Sequence, residues 1–307
     1  MKKITTVILA AGNSSRFKHS KSKIFQDLSG SSVIEHVYKI AEKISKSEVI
    51  FVCNKKNIKD LKNNFPKAKF VIQHKQRGTA DAISNVKNLL KNFNLLILFA
   101  DAPLISLESI KKLIKNFYKN KSVGSMIAFK TKNPYGYGRV IINGNYVDAV
   151  VEELNASLKE KEIRLCNSGV MLCNSKLLFE NIHKISNKNI KKEKYLPDIF
   201  SIFNKINKSF TYILGSEEEM LGINTIKNLI DLDIIFQRRI KNNIIEKGVI
   251  ILQPDTVRVS CDTKIKKGSI IEPHVIIKPG VLIKENVIIK SHTVLEKCII
   301  GKNSLIG

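Results

Sequence analysis

Leu9-Ala10-Ala11-Gly12-Asn13-Ser14-Ser15-Arg16 places small residues directly before a cation, and Lys23 follows a few positions on. Small residues let backbone approach a ligand and present N–H groups, which suit a phosphate chain. The same stretch also fits an ordinary strand-to-helix turn. It is neither G-x-x-x-x-G-K-[ST] nor G-x-G-x-x-G. Asp101 ends a second apolar run, before Ala102-Pro103. A carboxylate there can hold Mg²⁺ against phosphates, because Mg²⁺ takes few protein oxygens; it can also cap the next helix. Asn224 offers a neutral oxygen to the same ion, or an N-cap to the helix that follows it. Gln73, Gln76 and Gly78 suit a pyrimidine edge: an amide donates and accepts, and glycine admits backbone. Gly138, Glu152 and Asn167 suit sugar hydroxyls, although Glu152-Glu153 also reads as a solvated acidic pair.

The elements that must hold these residues follow from periodicity. Residues 4–10, 48–53, 70–73 and 95–100 are apolar, β-branched runs of strand length. Between them lie helical patterns, one with Val33, Val37, Ile40 and Ile44 on one face and one opened by Thr79. Another spans 106–118, with Ile110, Leu113, Ile114 and Phe117 inward. This alternation predicts an α/β, doubly wound sheet, whose ligands sit at the carboxyl ends of strands. Gly12, Gln73 and Asp101 fall at those ends. The middle third is less regular, with a glycine-rich loop at 134–140 and Asn167-Ser168-Gly169 inside an apolar stretch. A long connector helix is expected over about 225–246, with Leu229, Leu232, Ile235 and Phe236 inward.

The tail changes period. Ile265, Ile271, Ile277, Ile283, Ile289 and Leu295 recur every six residues, and Ser269, Val275, Val281, Val287, Thr293 and Ile299 keep the same register. Six residues per face is the hexapeptide repeat of a short left-handed parallel β-helix, with room for two to three coils. Such a solenoid needs a cap or a partner over its open end. The expected organisation is a doubly wound α/β domain over 1–224, a connector over 225–247 and a β-helix over 248–307.

Composition narrows the class. Hydrophobic residues make up 43% of the chain, which is globular, and no run reaches the roughly 18 apolar residues of a membrane span. The N-terminal apolar run is too short for a signal peptide. The five cysteines are scattered without C-x-x-C, which suits a reducing cytoplasm and argues against disulfides or zinc. The net charge of +25 is spread along the chain without clustered aromatics, so specific nucleic-acid binding is not expected, whereas attraction of an anionic substrate is.

Together, Leu9-Ala10-Ala11-Gly12…Arg16…Lys23, Gln73…Gln76-Arg77-Gly78-Thr79, Asp101-Ala102-Pro103-Leu104, Tyr137-Gly138-Arg139, Val151-Glu152, Asn167-Ser168-Gly169, Tyr195-Leu196-Pro197-Asp198 and Gly222-Ile223-Asn224 form an ordered set. That set resembles the bacterial bifunctional N-acetylglucosamine-1-phosphate uridyltransferase/glucosamine-1-phosphate acetyltransferase family over essentially the whole chain. The resemblance implies a nucleotide-diphospho-sugar transferase-like fold. It implies transfer from UTP to N-acetylglucosamine 1-phosphate, giving UDP-N-acetylglucosamine and pyrophosphate. It also implies Mg²⁺ on Asp101 and Asn224, and charge neutralisation by Arg16 and Lys23. Uridine would lie on Gln73, Gly78 and the Leu9, Ala10, Ala11 and Gly12 backbone, and the sugar on Thr79, Gly138, Glu152, Asn167 and Asn224. A homotrimer through the β-helix is a further implication.

Departures from the family pattern are local. Asn13-Ser14-Ser15-Arg16-Phe17 stands where the family has G-T-R-M, nearer to superfamily members handling CTP or the molybdenum cofactor. Ser22-Lys23 replaces Pro-Lys, and Phe99-Ala100-Asp101 replaces Tyr-Gly-Asp. The family's acetyltransferase unit is a longer β-helix, so no acetyl transfer is expected of these residues. The competing expectations are another sugar or nucleotide, such as CTP or dTTP, and a non-catalytic nucleotide-sensing or assembly protein.

Overall fold

The computed structural model describes residues 3–12, 16–46, 48–90 and 94–307. Asn13, Ser14 and Ser15, the centre of the expected phosphate loop, lie outside the described residues. The chain forms two compact units, one of residues 1–15 and 34–222 and one of residues 16–33 and 223–307. Residues 16–33 therefore group with the C-terminal part, where the sequence pattern put them in the first domain.

The first unit is built on a nine-stranded sheet: β1 (Ile4–Leu9), β2 (Val49–Cys53), β3 (Lys69–Ile72), β4 (Asn94–Phe99), β5 (Gly124–Lys130), β6 (Arg139–Asn143), β7 (Tyr146–Val151), β8 (Leu165–Asn174) and β9 (Phe210–Leu214). The order is β3-β2-β1-β4-β8-β5-β9-β7-β6. Strands β3, β2, β1 and β4 are parallel, and β1, β2 and β4 are buried almost throughout, as continuous apolar runs require. Leu9 pairs with both Val52 and Phe99, and Cys53 with Ile72. That register brings the residues after β1, β3 and β4 out along one edge. The second half of the sheet is mixed: β8 runs antiparallel to β4 and β5, and β6 and β7 form a hairpin. No helix separates β6 from β7, so that connection is a turn with Gly144 at φ +59°.

Helices α1 (Val33–Ser45), α2 (Ile58–Asn64), α3 (Thr79–Ser84), α4 (Leu107–Asn120) and α5 (Ile199–Lys205) accompany the sheet. In α4, Ile110, Leu113, Ile114 and Phe117 are buried as expected. Its N-cap is Ser106, whose Oγ accepts from Ser109 N at 3.1 Å. Asp101 therefore does not cap it.

The second unit contains α6 (Ile226–Ile245) and a three-sided parallel β-helix. Thr225 caps α6 in a capping box with Asn228, so Asn224 is not the cap. The buried stripe is Leu232, Gln237, Lys241 and Ile244; Leu229, Ile235 and Phe236 are half-buried. The reason is polar. Gln237 Nε2 donates to Val259 O at 2.7 Å and Gln237 Oε1 accepts from Val259 N at 3.0 Å. Lys241 Nζ donates to Pro254 O at 2.5 Å and Val257 O at 3.3 Å. The helix is thus hydrogen-bonded to the backbone of the first coil, which a search for apolar periodicity does not find.

Within the β-helix, Ile265, Ile271, Ile277, Ile283, Ile289 and Leu295 all point inward and are buried. The corner positions Gly268, His274, Gly280, Asn286 and His292 have positive φ, six residues apart; the next two are Lys297 and Asn303. The last coil is therefore one residue short. Rungs Lys264↔Leu282 and Ile276↔Val294 are 18 residues apart, but Leu282↔Ile299 is 17. As a result Cys298 and Ile300 turn toward the core, and Ile299, six residues after Thr293, is 68% exposed.

Candidate active site

In the first unit, the carbonyls of the β1 exit face the protein. Leu9 O accepts from Ala100 N at 3.1 Å, Ala10 O from Asn57 Nδ2 at 2.7 Å, and Ala11 O from Asn54 Nδ2 at 3.1 Å and Gln76 Nε2 at 2.5 Å. Ala10 N donates to Val52 O at 2.8 Å, so the exit is held on both sides as far as Ala10. A Cβ built on Gly12 meets nothing within 4 Å.

Gln73 is buried, and its amide nitrogen donates to Gly78 O at 3.1 Å and Asp81 Oδ2 at 2.9 Å. The expectation that this amide donates to a base is corrected to that extent: its NH₂ holds the following loop. Gly78 also differs from expectation. At φ +104°, a Cβ on it would lie 2.4 Å from Lys194 O and 2.7 Å from Lys194 N, so the close approach is by the chain's own backbone. Segment 194–198 is laced to this loop. Ala80 N donates to Lys194 O at 3.0 Å, Lys194 N to Arg77 O at 2.7 Å, and Leu196 N to Thr79 Oγ1 at 2.9 Å.

Asp101 follows β4 in the turn after Phe99, and a Cβ on Gly222 would lie 3.7 Å from Asp101 O. Phe99 packs against the β8 bulge, where a Cβ on Gly169 would lie 2.4 Å from its ring. Asn167 Oδ1 accepts from Gly169 N at 2.8 Å and Asn167 N donates to Gly138 O at 2.8 Å. A Cβ on Gly138 would sit 3.3 Å from Glu152 Oε1. Gly138, Glu152 and Asn167 are therefore one group.

Burial pushes the Glu152 carboxyl up, and repulsion from Asp198 adds to it. Burial pushes Asp198 itself up to about 6. Tyr195 rises to about 12, by burial and then by Glu193. The sequence pattern included Tyr195 and Asp198 without giving them a role; their signal was the Tyr-Leu-Pro-Asp run itself. Arg139, buried, and Glu153, half-buried, stand in the quoted runs too, but their pairing at 2.6 Å is set by the fold and is not visible in the sequence.

The second unit holds the other three expected residues. Arg16 Nη2 donates to Asn224 Oδ1 at 3.0 Å, and Lys23 Nζ to Ile223 O at 2.8 Å. Both cations thus lie on the 223–224 segment, and the Asn224 oxygen expected on a metal is here an acceptor for a guanidinium.

Residues 6–187 match the MobA-like NTP transferase domain. Two solved structures share the fold. One is described as a glucose-1-phosphate thymidylyltransferase from Bacillus anthracis in complex with sucrose, with TM-score 0.61 and 18% identity over 76% of this chain and 94% of that one. The other is a CMP:2-keto-3-deoxy-manno-octonic acid synthetase complexed with CTP, with TM-score 0.58 and 14% identity over 77% of this chain and 99% of that one. Fold and sequence together place the chain in the MobA-like NTP transferase class.

The bifunctional protein GlmU of Buchnera aphidicola is 36% identical over 258 residues, 83% of this chain and 55% of that protein. GlmU of Bartonella quintana is 31% identical over 312 residues, covering 100% of this chain and 69% of that protein. The chain belongs to the GlmU family, and it spans between about half and two thirds of the length of these relatives.

Proposed function

We propose that this protein transfers a uridylyl group from UTP to N-acetylglucosamine 1-phosphate, releasing pyrophosphate. The observation that carries the nucleotide part is the strand register that brings Leu9–Gly12, Gln73 and Asp101 to one edge of the sheet. The sugar phosphate oxygen attacks the α-phosphorus, the bond to the bridging oxygen breaks, and pyrophosphate leaves with that electron pair. No protein nucleophile is required. Leu9, Ala10, Ala11 and Gly12, with Gln73 and Gly78, hold the nucleotide. Thr79, Gly138, Glu152, Asn167 and Asn224 hold the sugar, and Arg16 and Lys23 offset the triphosphate charge.

Asp101 and Asn224 are the proposed holders of Mg²⁺. Both offer hard oxygens, which fits an ion that takes most of its coordination from phosphate and water. When bound, the ion would supply charge neutralisation at the phosphates.

Pyrophosphate release tests the assignment, with UTP, CTP, dTTP and ATP against a panel of sugar 1-phosphates. Turnover confined to UTP and N-acetylglucosamine 1-phosphate supports it. A different preferred pair moves it to another sugar-1-phosphate nucleotidyltransferase, a reading favoured by Phe99 standing against the Asn167–Gly169 bulge. No turnover with any pair leaves the non-catalytic reading. Asp101→Ala should lower Mg²⁺-dependent turnover by about 10²-fold or more while the protein stays folded; near-normal activity overturns the role. These 307 residues are also expected to give no thiol release from acetyl-CoA with glucosamine 1-phosphate, and a rate above background refutes that.

A self-association surface belongs to the same proposal. Ile250, Ile270, Ile288 and Leu305 stack as the outward residues of the four-stranded face, and Ile250 and Leu305 are 54% and 64% exposed. An aliphatic ladder of this kind favours contact with further copies of the chain.

A further inference from the structure

We infer that the ion pair between buried Arg139 and half-buried Glu153 is a positioning device for the sugar-phosphate side of the site, fixing Gly138, Glu152 and Asn167 relative to one another. This rests on the proposal that those three residues hold the sugar.

Arg139 is 1% exposed, and its Nη2 lies 2.6 Å from Glu153 Oε2. Nη1 donates to the Tyr137 carbonyl, and Glu153 Oε2 accepts from Gly136 N at 3.2 Å. One carboxylate and one guanidinium therefore clasp Gly136 and Tyr137, the two residues before Gly138. Arg139 is also the register partner of Cys166 on β8 and of Val151 on β7. Three of the proposed sugar residues are consequently chain neighbours of a member of this cluster: Gly138 of Arg139, Glu152 of Glu153, and Asn167 of Cys166.

The energetics favour positioning over stability. A buried ion pair gains little net stability over apolar residues of the same volume. Here Arg139 Nε is buried without a partner, which costs further free energy. Burial acts to raise the Glu153 carboxyl, and its hydrogen bonds from Arg139 and Gly136 outweigh that, holding it below the usual range. The carboxylate is thus kept ionised against the interior, with its bonds directed at one loop. That loop carries the Gly138 carbonyl, which receives the Asn167 N–H.

The test compares Glu153→Gln with the apolar double variant Arg139→Met/Glu153→Leu. In steady-state pyrophosphate release, both should raise KM for N-acetylglucosamine 1-phosphate by about tenfold while kcat and KM for UTP stay within about twofold, the signature of lost ground-state positioning. Melting temperature is read alongside. A folded double variant with unchanged melting temperature and unchanged sugar-phosphate KM overturns the inference. If the double variant does not fold, Glu153→Gln decides by the same criterion. Hydrogen exchange at the amides of Gly136, Tyr137 and Gly138 in the ligand-free protein separates the two proposals. Faster exchange in Glu153→Gln upholds the clasp even if the wild-type protein turns over no sugar phosphate, in which case the functional proposal fails alone. Unchanged exchange overturns the clasp.

Discussion

A Cβ built on Gly12 meets no atom within 4 Å, whereas one built on Gly78 lands on the Lys194 backbone. The two substitutions should therefore behave oppositely. Gly12→Ala is expected to leave the denaturant midpoint unchanged and to weaken UTP binding, measured by calorimetry. Gly78→Ala forces a side chain into φ +104° against backbone, and should cost roughly 1–3 kcal/mol from the backbone strain alone; an unchanged midpoint would count against that account. Asp198 gives a pH prediction. Its carboxyl is raised by burial from 3.8 to about 6, so its contribution to stability is fully present below 3.8 and is lost as pH rises through about 6. Asp198→Asn should remove that part of the decline in melting temperature across this window. At this scale the sequence disclosed residue types but not their partners. Gln73, Gly78, Asp101 and Asn224 were all visible as candidates. That Asn224 meets Arg16 depends on a contact between residues far apart in the chain, and that Gln73 spends its NH₂ on Gly78 and Asp81 depends on how the loop between them folds back.

Strands were the most legible elements, whereas the cap candidates Asp101 and Asn224 gave way to Ser106 and Thr225. The apolar runs of β1, β2 and β4, the buried face of α4 and the start of α6 all follow from short-range patterns, because each is set by neighbours within one or two turns. The antiparallel half of the sheet did not show itself, since pairing of β8 with β4, β5 and β6 joins strands distant in sequence. Helix α6 was misjudged at its polar stripe for a similar reason: Gln237 and Lys241 are buried because they satisfy carbonyls and an N–H of the first coil. Gln237→Leu should consequently destabilise the second unit by about 1–3 kcal/mol for each backbone group left unpaired. Urea unfolding followed by a probe in the β-helix checks this, and a shift below about 0.5 kcal/mol would show that water replaces the amide.

For the whole molecule, the excess of positive charge and the aliphatic ladder make different demands. The charge favours fast capture of a polyphosphate, weakening as salt rises. The ladder favours self-association. Wild-type protein is expected to sediment as a trimer, and Ile270→Glu/Ile288→Glu, altering two outward rungs, as a monomer. A monomeric wild type would overturn the surface proposed on the four-stranded face. Among the described residues no helix is long and apolar enough to cross a membrane. The change of period after α6 marks where the repeats begin. The grouping of residues 16–33 with the C-terminal unit was not legible in the sequence, because it rests on bonds such as Ser29 Oγ to Asp233 Oδ1 and Cys261 N to Ser29 O.

The short corner at Lys297 shows how this kind of solenoid absorbs a deletion. Losing one residue between Leu295 and Cys298 left the rungs Ile283↔Ile300 and Ile289↔Ile306 paired, because the loss fell in an exposed turn and not in a strand. Insertions and deletions in such tails are thus cheapest at corners, and each one exchanges which of two adjacent aliphatic residues is hidden. An alignment of related tails scored by position would place Ile299 opposite Leu282's inward neighbour; an alignment with its gap at Lys297 restores the correspondence for every later rung.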